Sequence, residues 1–223
     1  MKVTIDPSVL SKVPDFKIGV IIYEDITVSS SPQMIKGRFQ LYQESISFDL
    51  EERPLSDYKG VKEWRSVFKK LGMDPSKYRP SHEALVRRIA KKDFLVTIHS
   101  AADINNFFSL QYGIPIGIYD KEKINGDIVI KLGQENEQYE GLNNRNIDAN
   151  QKLISLDNSG PFGSPFVDSR RTAVTEQTTS AIQIAYLQPS MTSKEEMIAL
   201  LQAMSKMFTQ VNGGTASHKI VST

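Results

Sequence analysis

The sequence predicts an α+β fold, with N-terminal helices and one C-terminal helix packed over a core of short strands. Apolar residues recur at helical spacing from about residue 32 to 110. Between Gly113 and Pro189 they gather into short runs broken by Gly, Asn and Pro, and a last helical pattern follows Ser193. No linker divides the 223 residues, so 1–210 read as one domain and 211–223, with Gly213-Gly214, as a loose tail.

Each element follows from its own pattern. FKIGVIIYEDITV (16–28) reads as a buried strand and a turn. Ser31 and Pro32 suit a cap and a first helical position, and Ile35, Phe39, Tyr42 and Ile46 then fall on one helix face. Lys59–Gly72 predicts a second helix with Val61, Trp64, Val67, Phe68 and Leu71 inward, stopped by Gly72. Pro80-Ser81 launches a third, which buries Leu85, Val86 and Ile89 and displays Arg87, Arg88, Lys91 and Lys92. After a VTI strand, Ser100 and Asp103 resemble a capping box for a fourth, with Ile104, Phe107, Phe108 and Leu110 on its apolar side. IPIGIY (114–119), DIVIKL (127–132), KLISL (152–156) and AIQIAYL (181–187) predict strands, with turns at Asp148–Asn150 and Asn158–Pro161. Ser193 and Glu196 form a capping box for the final helix.

Composition narrows the class. Apolar residues make up 39% and charged residues 24%, an ordinary globular balance. Apolar runs such as IGVII are far too short to span a membrane, and no leader pattern opens the sequence, so export is not expected. The absence of cysteine excludes disulfides, thiolate zinc sites and Cys nucleophiles, and fits a reducing cytoplasm. The net charge of +1 hides an asymmetry. Lys59–Lys92 carries eleven Lys/Arg against Glu63, Asp74 and Glu83, a local +8, and the remainder sums to −7. Such a segment is either a polyanion footprint or a solvated helical face.

Several catalytic motifs are missing: a Walker loop, a Gly-rich dinucleotide fingerprint, HExxH and GxSxG. No metal or cofactor site is expected, since His and carboxylates do not occur at ligand spacing. His82, in the first turn of a helix, reads as exposed. His99 reads as structural or within reach of a pocket. Ser164 in FGSPF lacks a nearby base and suits a turn that offers an N–H and a hydroxyl to a ligand. Thr172 belongs to a threonine cluster whose pattern reads as strand filler. Asp103, Asn105 and Asn106 either cap a helix or present an amide to a ligand.

Six segments in order carry a resemblance: RPSHEALVRR (79–88), ADINN (102–106), YGIPIGIYD (112–120), KINGDIVIK (123–131), LISLD (153–157) and DSRRTAVTEQTTSAI (168–182). Together, 79–189 resembles the tRNA-editing domain of the phenylalanyl-tRNA synthetase β-subunit, built from its third and fourth B modules. VKEWRSVFKKLGMDPSKYRPS (61–81) resembles freestanding relatives of that domain. The resemblance implies a β-sandwich-like core, binding of tRNA or aminoacyl-tRNA, and hydrolysis in trans of the ester to a wrong amino acid. Asn106 matches an asparagine of the editing pocket, and Pro115–Asp120, with Gly117 and Tyr119, matches its wall. Asn105, Gly163, Ser164 and Thr172 complete the expected pocket, and Arg87, Arg88, Lys91 and Lys92 the expected tRNA contacts. Two departures stand out. Gly117 replaces a common pocket histidine, and Asp168-Ser169-Arg170 stands near a glutamate that senses a tyrosine hydroxyl, which implies an amino acid other than tyrosine. A non-catalytic RNA-binding module and an amino-acid-binding regulator are the alternatives.

Overall fold

The computed structural model describes residues 1–222. In chain order the elements are β1 (Val3–Ile5), α1 (Pro7–Leu10), β2 (Ile18–Glu24), α2 (Gln33–Glu52), α3 (Val61–Leu71), α4 (Ser81–Ala90), α5 (Ser100–Tyr112) and β3 (Ile116–Asp120). Then follow β4 (Ile128–Leu132), β5 (Gln138–Glu140), β6 (Asn146–Asp148), β7 (Leu153–Asp157), β8 (Gly160–Gly163), β9 (Ala181–Tyr186), α6 (Lys194–Asn212) and β10 (Thr215–Val221).

Two four-stranded sheets face each other, in the orders β1-β4-β7-β8 and β10-β2-β9-β3, beside a β5–β6 ribbon. Period-two alternation divides the side chains of the second sheet between two cores. Ile18 and Val20 of β2, with Ile182, Ile184 and Tyr186 of β9, point between the sheets and meet Ile128, Ile130, Leu153 and Phe162. Trp64, Phe68 and Leu71 of α3 join that layer. Ile21 and Tyr23 of β2, with Ile116 and Ile118 of β3, point the other way into α2, α4, α5 and α6. The result is α+β, a β-sandwich with a helical layer on one face. Gly19 permits this packing, because Leu201 of α6 lies where a Cβ would stand.

Several expectations need correction. The loose tail proves to be β10, which pairs antiparallel with β2 from Thr215↔Glu24 to Val221↔Ile18. Gly213 and Gly214, both at positive φ, turn the chain back from α6. The VTI segment is not a strand, because the Gln43 side chain takes both backbone groups of Leu95: its Oε1 accepts the N–H at 2.6 Å and its Nε2 donates to the carbonyl at 3.3 Å. Helix α2 begins at Gln33 without a side-chain cap, and Ser31 instead donates to Asp103 at 2.5 Å. The cap of α5 is His99, whose Nδ1 accepts the Ala102 N–H at 3.2 Å. The turns expected around Asp148 and Pro161 overlap strands β6 and β8. His82 is fully buried beside the Gly60 backbone, and burial lowers its pKa to about 3. Its ring nitrogens lack a well-formed hydrogen bond among the described residues.

Candidate functional site

The helical layer and the two sheets leave a small polar cavity, of about 100 Å3. Ser81 and Leu85 of α4, Asn105, Asn106 and Ser109 of α5, Ile116 of β3, and Ser164, Val167 and Asp168 after β8 line it. The Ser81 N–H, bonded to the Pro165 carbonyl at 2.8 Å, ties the start of α4 to the FGSPF turn. The asparagine helix, the proline-led strand and the Gly-Ser turn therefore do converge.

The two asparagines differ. Asn105 is buried and its amide is fully engaged: Nδ2 donates to the Ile116 carbonyl at 3.0 Å, and Oδ1 accepts from Gln183 at 2.9 Å. Gln183 in turn accepts the Tyr23 hydroxyl at 2.9 Å. This chain fixes α5 on the second sheet. Asn106 is half-buried one position on, and its side-chain amide has no hydrogen-bond partner among the described residues. It is the free amide of the cavity. The Ser164 hydroxyl donates to the Val167 carbonyl at 2.9 Å and accepts from Tyr139 and from the Val167 N–H. Held closed by its own turn, it shapes the wall and is not poised as a nucleophile.

Asp168 brings a carboxyl to the same cavity. Its Oδ1 accepts the Tyr119 hydroxyl at 2.7 Å. Burial raises its pKa to about 7, against the lowering pull of that bond and of the Ile118 N–H. Tyr119 is wholly buried, which pushes its own ionisation well above the usual tyrosine range, so it stays a neutral donor. A carboxyl that titrates near neutrality can both take and return a proton.

Five expected pocket residues stand behind this wall. The ring of Tyr119 fills the space between Gly117 and Gly163. A Cβ at Gly117 would lie 2.6 Å from Tyr119 Cζ and 2.9 Å from Asp168 Oδ1, and one at Gly163 would lie 2.7 Å from Tyr119 Cε1. Gly117 thus makes room for the tyrosine–aspartate pair, and the Tyr119 ring occupies the space beside both of these expected pocket residues. Pro115 accepts the Tyr186 N–H through its carbonyl. Thr172 donates to the Phe162 carbonyl at 3.3 Å within the buried structure.

The expected cationic rim is largely neutralised. Arg87 and Arg65 share the buried Glu83, each at 2.8 Å. Arg88 pairs with Asp93 at 2.8 Å and Lys92 with Glu51 at 2.6 Å. Among the described residues Lys91 makes no ion pair, and neither does Arg79, which is exposed two positions before Ser81. The sequence contained Asp168 within the DSRR landmark, but its contact with Tyr119, 49 positions away, is a product of the fold. Among the described residues no His/Cys/Asp/Glu group could hold a metal ion, and no helix is long and apolar enough to cross a membrane.

A model of the B3/4 domain matches residues 63–211, more than half of the chain. The chain is 34% identical over 215 residues to "Uncharacterized protein YhzB" of Bacillus subtilis, covering 96% of this chain and 97% of that protein. It is 28% identical over 118 residues to the phenylalanine–tRNA ligase β subunit of Zymomonas mobilis, covering 52% of this chain and 15% of that subunit. The corresponding subunit of Streptomyces avermitilis is 33% identical over 94 residues, 11% of its length. An N-terminal fragment of the phenylalanyl-tRNA synthetase β-subunit of Pyrococcus horikoshii superposes with a TM-score of 0.46 at 14% identity, over 99% of this chain and 50% of that one.

Proposed function

The chain belongs to the B3/4 domain family, and from that premise we propose that it admits the aminoacyl end of a charged tRNA to the cavity beside Asn106 and hydrolyses the ester to a small amino acid. The observation that carries this reading is the pairing of a free amide with a carboxyl poised near neutrality inside one small cavity. Asp168 removes a proton from a water as its oxygen attacks the ester carbonyl carbon. The Asn106 amide donates to the oxyanion that forms. As the C–O bond to the ribose breaks, Asp168 returns its proton to the departing ribose oxygen, leaving free amino acid and uncharged tRNA. A positioned general base contributes roughly 10²–10⁴-fold and an oxyanion donor roughly 10²–10³-fold. An activated aminoacyl ester needs no covalent intermediate at that level of help.

Size supports the choice of substrate. An apolar cavity of about 150 Å3 takes up benzene, so one of about 100 Å3 suits a side chain smaller than an aromatic ring. Among the described residues Arg79 and Lys91 hold no carboxylate, which leaves them free to meet phosphates.

A second reading, a regulator that binds a free small amino acid, is favoured by the engagement of Arg87, Arg88 and Lys92 with carboxylates. One experiment separates the two: release of amino acid from a panel of tRNAs charged with small and aromatic residues, with wild type, Asn106→Ala and Asp168→Asn. Hydrolysis of a small aminoacyl ester should fall at least about 100-fold in either variant. Equal rates in all three proteins refute the assignment. No hydrolysis, with thermal stabilisation by a free amino acid alone, establishes the regulator.

A further inference from the structure

The polar lining of the cavity divides into groups that are spent and groups that are not. The Asn105 amide holds Ile116 and Gln183. The Ser109 hydroxyl donates to the Ile114 carbonyl at 2.7 Å, and that of Ser164 is closed within its own turn. The Asn106 amide and the Asp168 carboxyl act on the ester in the reaction proposed above. Ser81 remains. It is half-buried, and its hydroxyl has no hydrogen-bond partner among the described residues.

Serine at the start of a helix ordinarily spends its hydroxyl on capping. Here Pro80 is the cap residue, and no side chain closes the first turn of α4. The Ser81 backbone is nonetheless fixed, because its N–H donates to the Pro165 carbonyl at 2.8 Å. Its hydroxyl is therefore a placed but unused group, where α4 meets the FGSPF turn. Leu85 stands one helical turn further along the same face and also lines the cavity. Ile116 and Val167 extend the apolar surface. A free hydroxyl and an aliphatic wall thus lie side by side.

From this pairing we infer, resting on the reading of the cavity as an aminoacyl-ester site, that Ser81 selects an amino acid whose small side chain carries a hydroxyl, threonine above serine. A serine hydroxyl both donates and accepts, and so does the hydroxyl of such a substrate. Leu85 and Ile116 offer the surface for the threonine methyl. Valine has the same shape as threonine but brings a methyl to Ser81 Oγ, which is left unpaired once water is displaced. Alanine fails for the same reason beside serine. A site that bonds a substrate hydroxyl rejects the analogue lacking it more strongly than an apolar pocket sorts side chains by size.

Release of amino acid from one and the same tRNA, charged in turn with threonine, valine, serine and alanine, tests the proposal. Wild type should release threonine at least about tenfold faster than valine, and serine at least about tenfold faster than alanine. Ser81→Ala retains the backbone N–H that Pro165 accepts, and it should bring both ratios close to one. These ratios are the readout, because a general defect slows all four esters together. Wild type that releases valine as fast as threonine overturns the proposal and leaves the hydrolytic reading intact. So does a Ser81→Ala that is folded by circular dichroism and keeps the wild-type ratios, since its hydroxyl would then serve only what the four esters share. If none of the four is hydrolysed, the hydrolytic reading falls, and thermal shifts with free threonine and valine test the selectivity by themselves. A larger shift with threonine that Ser81→Ala abolishes sustains it. Equal shifts, or none, overturn it.

Discussion

Replacing Asp168 by Asn should make the protein more stable while removing the proposed general base. In the unfolded chain the carboxyl ionises near its ordinary 3.8, and in the folded protein at about 7. Between those values the native state holds a proton that the unfolded chain has released, so stability falls as pH rises through the window. At ~1.4 kcal/mol per pH unit, a separation of about three units sets a ceiling of ~4 kcal/mol, reached above pH 7. Asp168 keeps part of its surface open to the cavity, and water there screens the charge, so roughly 1–3 kcal/mol is the realistic cost. Asparagine is nearly isosteric, does not titrate, and can still accept the Tyr119 hydroxyl. Urea unfolding of wild type and Asp168→Asn at pH 8 and pH 4 isolates the effect, since all other groups titrate alike in both proteins. The variant should gain roughly 1–3 kcal/mol at pH 8 and lose most of that advantage at pH 4. A variant less stable than wild type at pH 8, or one with the same advantage at both values, refutes the assignment of a raised pKa to Asp168.

Two further substitutions probe the surroundings of the site. Gly163→Ala sets a methyl 2.7 Å from Tyr119 Cε1, against a ring held edge-on by Phe162 at 4.8 Å and by Asp168. A loss of ~1–3 kcal/mol should appear as a lower urea midpoint at unchanged slope, and an unchanged midpoint would show that the ring can yield. His82, held neutral by burial with a pKa of about 3 against 6.5 in the unfolded chain, contributes stability that is complete above pH 6.5 and lost as pH falls toward 3. His82→Gln, measured against wild type from pH 7 to pH 5, should remove ~2 kcal/mol of acid sensitivity. An identical pH profile in the two proteins would contradict the buried neutral ring.

Much of the fold was legible because period and punctuation agree. Val61, Trp64, Phe68 and Leu71 with the Gly72 stop specify α3, and Ser193 caps α6 through the Glu196 N–H at 3.2 Å. Strand β10 was not legible. TASHKIV alternates weakly, and its edge position asks only for half-buried Ala216 and Ile220 between polar residues. The VTI segment misled for the opposite reason. It has β composition, but a glutamine side chain satisfies the backbone at Leu95, and Val96 and Ile98 are left outside. The convergence on the cavity was readable through the order of landmarks. Which asparagine is free was not, because Asn105 and Asn106 are neighbours in sequence and differ only in whether Gln183 and Ile116 lie within reach. The cationic helix shows the same limit. Its charges are plain in sequence, while their neutralisation by Glu83, Asp93 and Glu51 depends on folded geometry.

The two perturbed groups also act on each other's visibility. Asp168 and His82 depart from their ordinary values in opposite senses, so between about pH 4 and pH 6.5 the native state retains one proton and refuses another relative to the unfolded chain. Their slopes oppose, so in the wild type each offsets part of the other's tilt. Asp168→Asn then exposes the histidine slope, stability falling toward acid. His82→Gln exposes the aspartate slope, stability rising toward acid. Both groups are needed for that offset, but only Asp168 opens to the cavity. His82 is sealed beneath α4 with no ligand-facing surface, so its neutrality stabilises the element that carries Ser81 and Leu85. The two single variants should therefore tilt in opposite directions from the wild type, one through the site and one through the group beneath its wall.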